Sequence, residues 1–230
     1  MNNLNLYFKI SILFLCVFLL QGCLKSNDDY SNLSIGTVRM IDEEPATLYF
    51  QLDLKKNLYP NSLQFYGAKE LKEKDRVFIE YTDAQEKKSG YTANIVSTHL
   101  VQTKPIILEA DQEKLETYLN ESAKINISEV YIVNDFLTLK YTCLGKNKDS
   151  DQNTINLYAL ADSNRTGAAL HLYLTHNGED TEGSQYSGII SFPIDKLKAL
   201  ISPSTQVYIK SHTIYNGIEE HIIKITDIDE

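Results

Sequence analysis

Tryptophan is absent from the 230 residues and cysteine nearly so. The three cysteines are Cys16, Cys23 and Cys143. Cys16 and Cys23 lie in or beside an N-terminal segment read below as a processed leader, which leaves Cys143 alone. An intramolecular disulfide framework is thereby excluded, and stability must come from packed cores. The apolar run from Ile10 to Leu20, interrupted only by Ser11, falls well short of the ~20 residues that a spanning helix needs. Phosphate-cradling glycine loops of the G-x-x-x-x-G-K-[ST] and G-x-G-x-x-G types are missing. So is the G-x-S-x-G nucleophile elbow. An excess of positive charge is missing too: the net charge is −9. Phosphate neutralisation supplies most nucleic-acid affinity, so no nucleic-acid partner is expected.

What is present begins with an address. Residues Met1 to Lys9 carry no charged side chain but Lys9, and the apolar run that follows has the length of a signal-peptide core. Leu20-Gln21-Gly22-Cys23 then supplies a cleavage site. Small Gly22 lets a peptidase approach the backbone, and the Cys23 thiol is the nucleophile that takes a diacylglyceryl group. The pattern resembles a lipobox, although Gln21 is bulkier than usual. Residues 1–22 are therefore read as a signal peptide, and residues 23–32 as a lipidated Cys23 with its tether. Each buried CH₂ adds ~0.8 kcal/mol, so two or three acyl chains anchor a protein essentially permanently. Membrane attachment through Cys23 is the expected result.

Removing the leader takes Lys9 with it and leaves 208 residues at a net charge of −10. That charge is unevenly placed. From Leu33 to Lys104 there are ten basic and ten acidic residues; from Pro105 to Glu230 there are ten basic and nineteen acidic. The step predicts a boundary between two domains.

The first part reads as strands. Leu33 to Asp42 changes its apolar phase across Gly36, which predicts a bulge or bend there. Thr47 to Asp53, Arg76 to Thr82 and Tyr91 to Val101 alternate at period two. Few strands in about 70 residues predict a small OB-like Greek-key barrel over residues 33–104. Thr103-Lys104-Pro105 breaks the pattern. Asp111 can cap a short helix with Leu115, Tyr118 and Leu119 on one side. Residues 105–126 are read as a connection.

Residues 127–230 read as hairpins. Val130 to Val133 and Phe136 to Leu144 flank Asn134-Asp135, a two-residue turn. Thr154 to Ala161, Ala168 to His176 and Gln185 to Phe192 follow. Val207 to Tyr215 and Ile218 to Thr226 flank Asn216-Gly217. About seven strands predict a β-sandwich, and the fold class is all-β. Cys143 shares a face with Leu137, Leu139 and Tyr141, so it reads as a buried, unreactive thiol.

Candidate metal and catalytic sites fail on spacing. Asp149-Ser150-Asp151-Gln152-Asn153 opens like a calcium loop, but Thr154 stands where Gly is needed and Leu160 where Glu is needed. Glu179, Asp180 and Glu182 read as a solvated acidic loop. His171 and His176 point to opposite faces of a strand, and His99, His212 and His221 lie in separate strands. No catalytic residue, metal ligand or cofactor site is assigned.

The lipobox, Ile35-Gly36-Thr37-Val38, Tyr49-Phe50-Gln51-Leu52, Leu58-Tyr59-Pro60, Leu71 to Tyr81 and Thr103-Lys104-Pro105-Ile106 follow one another in a specific order. His176-Asn177 with Asp180, Gly188 to Phe192 and the Asn216-Gly217 hairpin complete it. In this the chain resembles the NigD-like lipoproteins of Bacteroidetes. The resemblance implies an N-terminal OB-like domain, a C-terminal β-sandwich and no established catalytic residues. The absence of Trp and the dilution of the acidic run after Cys23 to Asp28-Asp29 depart from it.

The expected function is that of a non-catalytic, lipid-anchored cell-envelope protein of the outer membrane. It would bind a protein or glycan partner or serve a structural role. An immunity or inhibitor protein of a bacteriocin system is the alternative, implied only by the family's naming context; a lipid-anchored hydrolase is a third. Lys25 and Asp28-Asp29 resemble a surface-export signal, so the body is expected on the cell surface or the periplasmic face. The loops Gly145 to Asn153 and Asn177 to Ser184 are the expected partner-binding elements.

Overall fold

A computed structural model describes residues 31–41, 47–145, 154–161, 169–178, 184–200 and 205–224. The leader, Cys23, the acidic loops at 149–153 and 179–182 and most of both expected partner-binding loops lie outside the described residues.

The first five strands are β1 (Asn32–Ile41), β2 (Thr47–Leu52), β3 (Asn57–Pro60), β4 (Arg76–Lys87) and β5 (Gly90–Leu100). They form a closed barrel in the order β1-β2-β3-β5-β4. Val38, Phe50, Leu52, Leu58, Val77, Ile79, Tyr81 and Ala93 fill its interior, as the period-two alternation requires. The register of β1 on β2 runs unbroken from Gly36 to Ile41. Register shifts occur in the β4–β5 pair, around Glu80–Tyr81 and Thr82–Gln85. Gly36 serves a different purpose, because a Cβ there would stand 3.1 Å from both Gln51 O and Ile79 Cδ1. The short strand β3 closes the barrel by pairing antiparallel to β2 and parallel to β5.

Among the described residues, nine strands form the second half. They run β6 (Gln102–Thr103), β7 (Ile107–Glu109), β8 (Ile125–Val133), β9 (Phe136–Gly145), β10 (Thr154–Leu160) and β11 (Ala169–Asn177). β12 (Ser184–Pro193), β13 (Gln206–Thr213) and β14 (Gly217–Lys224) follow. One sheet has the order β14-β13-β11-β10-β7 and the other β6-β12-β9-β8. Leu137, Leu139, Tyr141 and Cys143 face inward together against Leu157, Leu172, Phe192 and Ile209.

The last residues assigned to the barrel and the segment read as a connection both take part in the sandwich sheets. Gln102–Thr103 pairs parallel to β12, and Ile107–Glu109 pairs parallel to β10. Between them and β8 lies helix α1 (Gln112–Asn120). Its N-cap is Asp111, whose carboxylate accepts from Glu113 N and Lys114 N. Leu115 and Leu119 are buried with Tyr173 in a small third core.

Turn chemistry follows the sequence at one hairpin and departs at another. Asn134 and Asp135 have φ of 51° and 68°, as a two-residue type I′ turn demands. At the last hairpin Thr213 pairs with Gly217, so the turn holds three residues, Ile214, Tyr215 and Asn216. Thr213 Oγ1 accepts from Asn216 N at 3.1 Å and donates to Gly217 O at 2.9 Å. That hydroxyl stabilises the longer turn and leaves Gly217, at φ 74°, to take the left-handed position. Among the described residues, no helix is long and apolar enough to cross a membrane.

Candidate functional site: the joint and its cleft

Arg76 opens β4 in phase with the outward-facing Phe78 and Glu80. On an isolated barrel it would be solvated. Here its side chain is 0% exposed, because the four-stranded sheet of the sandwich packs over it. Its two terminal nitrogens donate to the two carboxylate oxygens of Asp53 at 2.6 and 2.7 Å. They also donate to Thr37 Oγ1 at 3.1 Å and, across the joint, to Thr138 Oγ1 at 3.0 Å. The guanidinium lies 5.1 Å from the centre of the Phe136 ring.

The second half answers with Tyr131, whose hydroxyl donates to Asp53 Oδ2 at 2.9 Å. Asn134 Nδ2 donates to Gln51 O at 3.0 Å and to Leu52 O at 3.3 Å. Burial, followed by the charge of Asp53 and the hydrogen bond to it, pushes the Tyr131 phenol well above its ordinary range. Tyr131 is therefore a fixed donor, and the joint is a bidentate ion pair built into a polar network.

Beside this joint a cleft of about 730 Å³ runs between the barrel and the sandwich, along β8, Lys140 and Ile189 of the four-stranded sheet and Ile222 and Ile223 of β14 in the five-stranded sheet. Ile35, Phe78, Tyr131, Lys140, Ile189 and Ile223 give its character, which is apolar walls with a few polar groups. A second hollow of about 620 Å³ shares Phe78, Lys140 and Ile189 and extends toward Gln102 and Tyr186. Clefts of this size and mixed lining are ordinary binding sites.

Each carboxylate of the cleft is held by a cation. Asp53 is engaged by Arg76, and Glu129 by Lys140. Carboxylates paired in this way are suited to orienting a bound surface.

The histidines do not converge. His171 stacks on Tyr208 at 4.9 Å and meets Glu220 at 3.3 Å on the outer face of the five-stranded sheet, while His176 is buried. His99 lies against Tyr66, and His212 Nδ1 is 3.2 Å from Ser122 O. Among the described residues, no group of three or more His, Cys, Asp or Glu could hold a metal ion. Cys143 is buried in the sandwich core, and burial raises its thiol pKa against a smaller lowering by the hydrogen bond to Tyr186.

The joint residues escaped sequence reasoning. Arg76 was visible only as the first residue of a strand, and Asp53 only as the end of another. The available signal was a basic residue directly before Val77-Phe78-Ile79 on the outward phase, which most often means a solvated side chain.

Comparison with known families settles the frame. The family model described as the NigD-like N-terminal OB domain matches residues 35–101, and that of the NigD-like C-terminal beta sandwich domain matches residues 106–225. The chain belongs to the NigD-like family. The two matched stretches of this NigD-like chain correspond to the barrel and the sandwich.

Solved structures share the fold at low identity. One is a protein of unknown function from Bacteroides vulgatus, 19% identical, covering 85% of this chain and 90% of that one, with a TM-score of 0.64. A protein described as toxin-related from Parabacteroides distasonis is 16% identical, covering 84% and 92%, with a TM-score of 0.62. A NigD-like immunity protein from Bacteroides caccae is 16% identical, covering 83% and 91%, with a TM-score of 0.56. Among curated proteins, none matches the chain significantly.

Proposed function

We propose that this NigD-like chain is a non-catalytic, lipid-anchored envelope protein of the immunity type, which acts by binding a protein partner at the outer membrane. The observation that carries the reading is the match of both family modules in order over residues 35–101 and 106–225. A NigD-like immunity protein and a protein described as toxin-related have the same two-module fold. The immunity reading thus takes precedence over the general accessory-lipoprotein reading.

The cleft supports binding over hydrolysis, because its acids are committed to ion pairs. Its apolar walls suit an apolar side chain of the partner, with Lys140 and Tyr131 orienting the flanking polar groups. Anchoring at Cys23 after loss of residues 1–22 would hold this surface at the membrane, on the periplasmic or the outer face. Division into a barrel at 33–104, a connection at 105–126 and a sandwich at 127–230, and the lack of a nucleic-acid partner, belong to the same proposal.

The test is genetic. Deleting the gene should make cells sensitive to a bacteriocin made by their own strain. The native gene should restore protection, whereas Cys23→Ser and Ile189→Arg should not. A deletion strain that remains as insensitive as its parent to every such bacteriocin would refute the immunity reading.

A further inference from the structure

One end of the barrel gathers positive charge. Asn57 of β3 lies opposite Gly90 of β5, which brings the β2–β3 turn against the β4–β5 hairpin. The approach is close, since a Cβ on Gly90 would stand 2.1 Å from Asn57 O. Exposed at this tip are Leu54, Lys55, Lys56, Glu86, Lys87, Lys88 and Ser89. Four lysines face one glutamate, on a chain whose net charge is −9.

That glutamate is engaged by Lys56 at 2.9 Å, and Lys56 also lies 4.7 Å above the Tyr91 ring. The tip thus gathers four lysines and one glutamate on one exposed surface. Leu54 is 79% exposed at the corner of the β2–β3 turn. The turn is held by the hydrogen bond from Lys55 N to Leu52 O at 3.0 Å. Leu33, 70% exposed, lines the same hollow as Leu54 and Lys55. The described strand β1 begins at Asn32, beside this tip. Nine residues separate Leu33 from Cys23, a reach of at most about 30 Å.

We propose that this tip, with Leu54 and Leu33 ringed by Lys55, Lys56, Lys87 and Lys88, is a membrane-docking surface for anionic phospholipid. Exposed leucines ringed by lysines match the interfacial region of a bilayer, where apolar groups enter the acyl boundary and ammonium groups meet phosphates. Each lysine near an anionic surface raises partitioning about fivefold. The inference rests on the anchor reading of Cys23 for its biological setting. It fixes which end of the barrel faces the lipid. Docking would also hold the cleft, whose lining includes Leu33 and Leu54, close to the membrane surface.

The chain has no Trp, so Leu54→Trp installs a single reporter. The full lipidated chain bearing this change is reconstituted into phosphatidylcholine vesicles with and without phosphatidylglycerol, and its lipid adduct is read by intact mass. In anionic vesicles the indole at position 54 should emit to the blue and be quenched by brominated phospholipid. A reporter from Tyr215→Trp, at a site 79% exposed in the turn before β14 and away from the cleft, should do neither. Adding Lys87→Gln and Lys88→Gln should lower the ratio of docked to undocked protein about 25-fold, at fivefold per charge. Unshifted, unquenched emission from the position-54 reporter in anionic vesicles overturns docking, whatever the mass shows at Cys23. Quenching of that reporter without a lipid adduct supports docking while removing the anchor reading.

Discussion

Removing the Asp53 carboxylate is the sharpest perturbation of the joint. In Asp53→Ala the Arg76 guanidinium keeps Thr37, Thr138 and the Phe136 face, yet it remains buried with its charge unmatched. Breaking a buried pair by deleting one partner typically costs about 3–5 kcal/mol. Asp53 is 13% exposed, so water can partly replace the lost oxygens, and the lower end of that range, about 3 kcal/mol, is expected. Tyr131 also loses its acceptor. For a body of this size a kcal/mol shifts Tm by about 2–4 °C, so the midpoint should fall by roughly 6–12 °C.

The assay is urea and thermal unfolding followed by far-UV circular dichroism. The network spans barrel and sandwich, so the loss should also broaden or split a single transition. Arg76→Met combined with Asp53→Leu removes both charges and should be markedly less damaging than Asp53→Ala alone, since apolar replacements of a buried pair are often near neutral. The reasoning is refuted if Asp53→Ala costs under about 1 kcal/mol, as breaking an exposed ion pair would, or if the double change costs the sum of the single ones.

Two further predictions concern the sheets. Gly90→Ala forces a side chain onto φ +139° and into Asn57 O, and should destabilise by more than about 2 kcal/mol, on the order expected for strained backbone. Gly217→Ala, at φ +74° with nothing within 4 Å, should cost only about 1 kcal/mol, and equal losses in urea midpoints would contradict this ranking. Burial, and less so the neighbouring Cys143, pushes the Tyr141 phenol up to about 12 from 10.0. The unfolded chain therefore loses that proton first, and the associated stability is whole below about pH 10 and is lost as pH rises toward about 12. Tyr141→Phe should flatten stability in that window, and an unchanged slope would show that the phenol is not protected.

Much of the fold was legible because sheets write themselves locally. The alternation of Leu137, Leu139, Tyr141 and Cys143 names a buried face, since successive side chains of a pleated strand point to opposite sides. Asn134-Asp135 tolerates the positive φ of its turn, and Asp111 offers an oxygen to the free amides of α1. Each depends on residues within one turn or strand of each other. The β2–β3 tip was less legible, because the meaning of Leu54 depends on lysines more than thirty positions away.

The amino-acid pattern by itself determined an all-β chain in two modules, the short helix and the interior thiol, because these follow from periodicity, capping and charge. Only the tertiary structure decided that β3 closes the barrel and that Gln102–Thr103 and Ile107–Glu109 join opposite sheets. Parallel pairing over such separations leaves no local signature. It alone decided the fate of Arg76 as well. Alternation placed that residue on an outer face, and burial of that face against Thr138 and Tyr131 turned a surface cation into the rivet of the joint. Which surface a second module will cover depends on the whole packing of both.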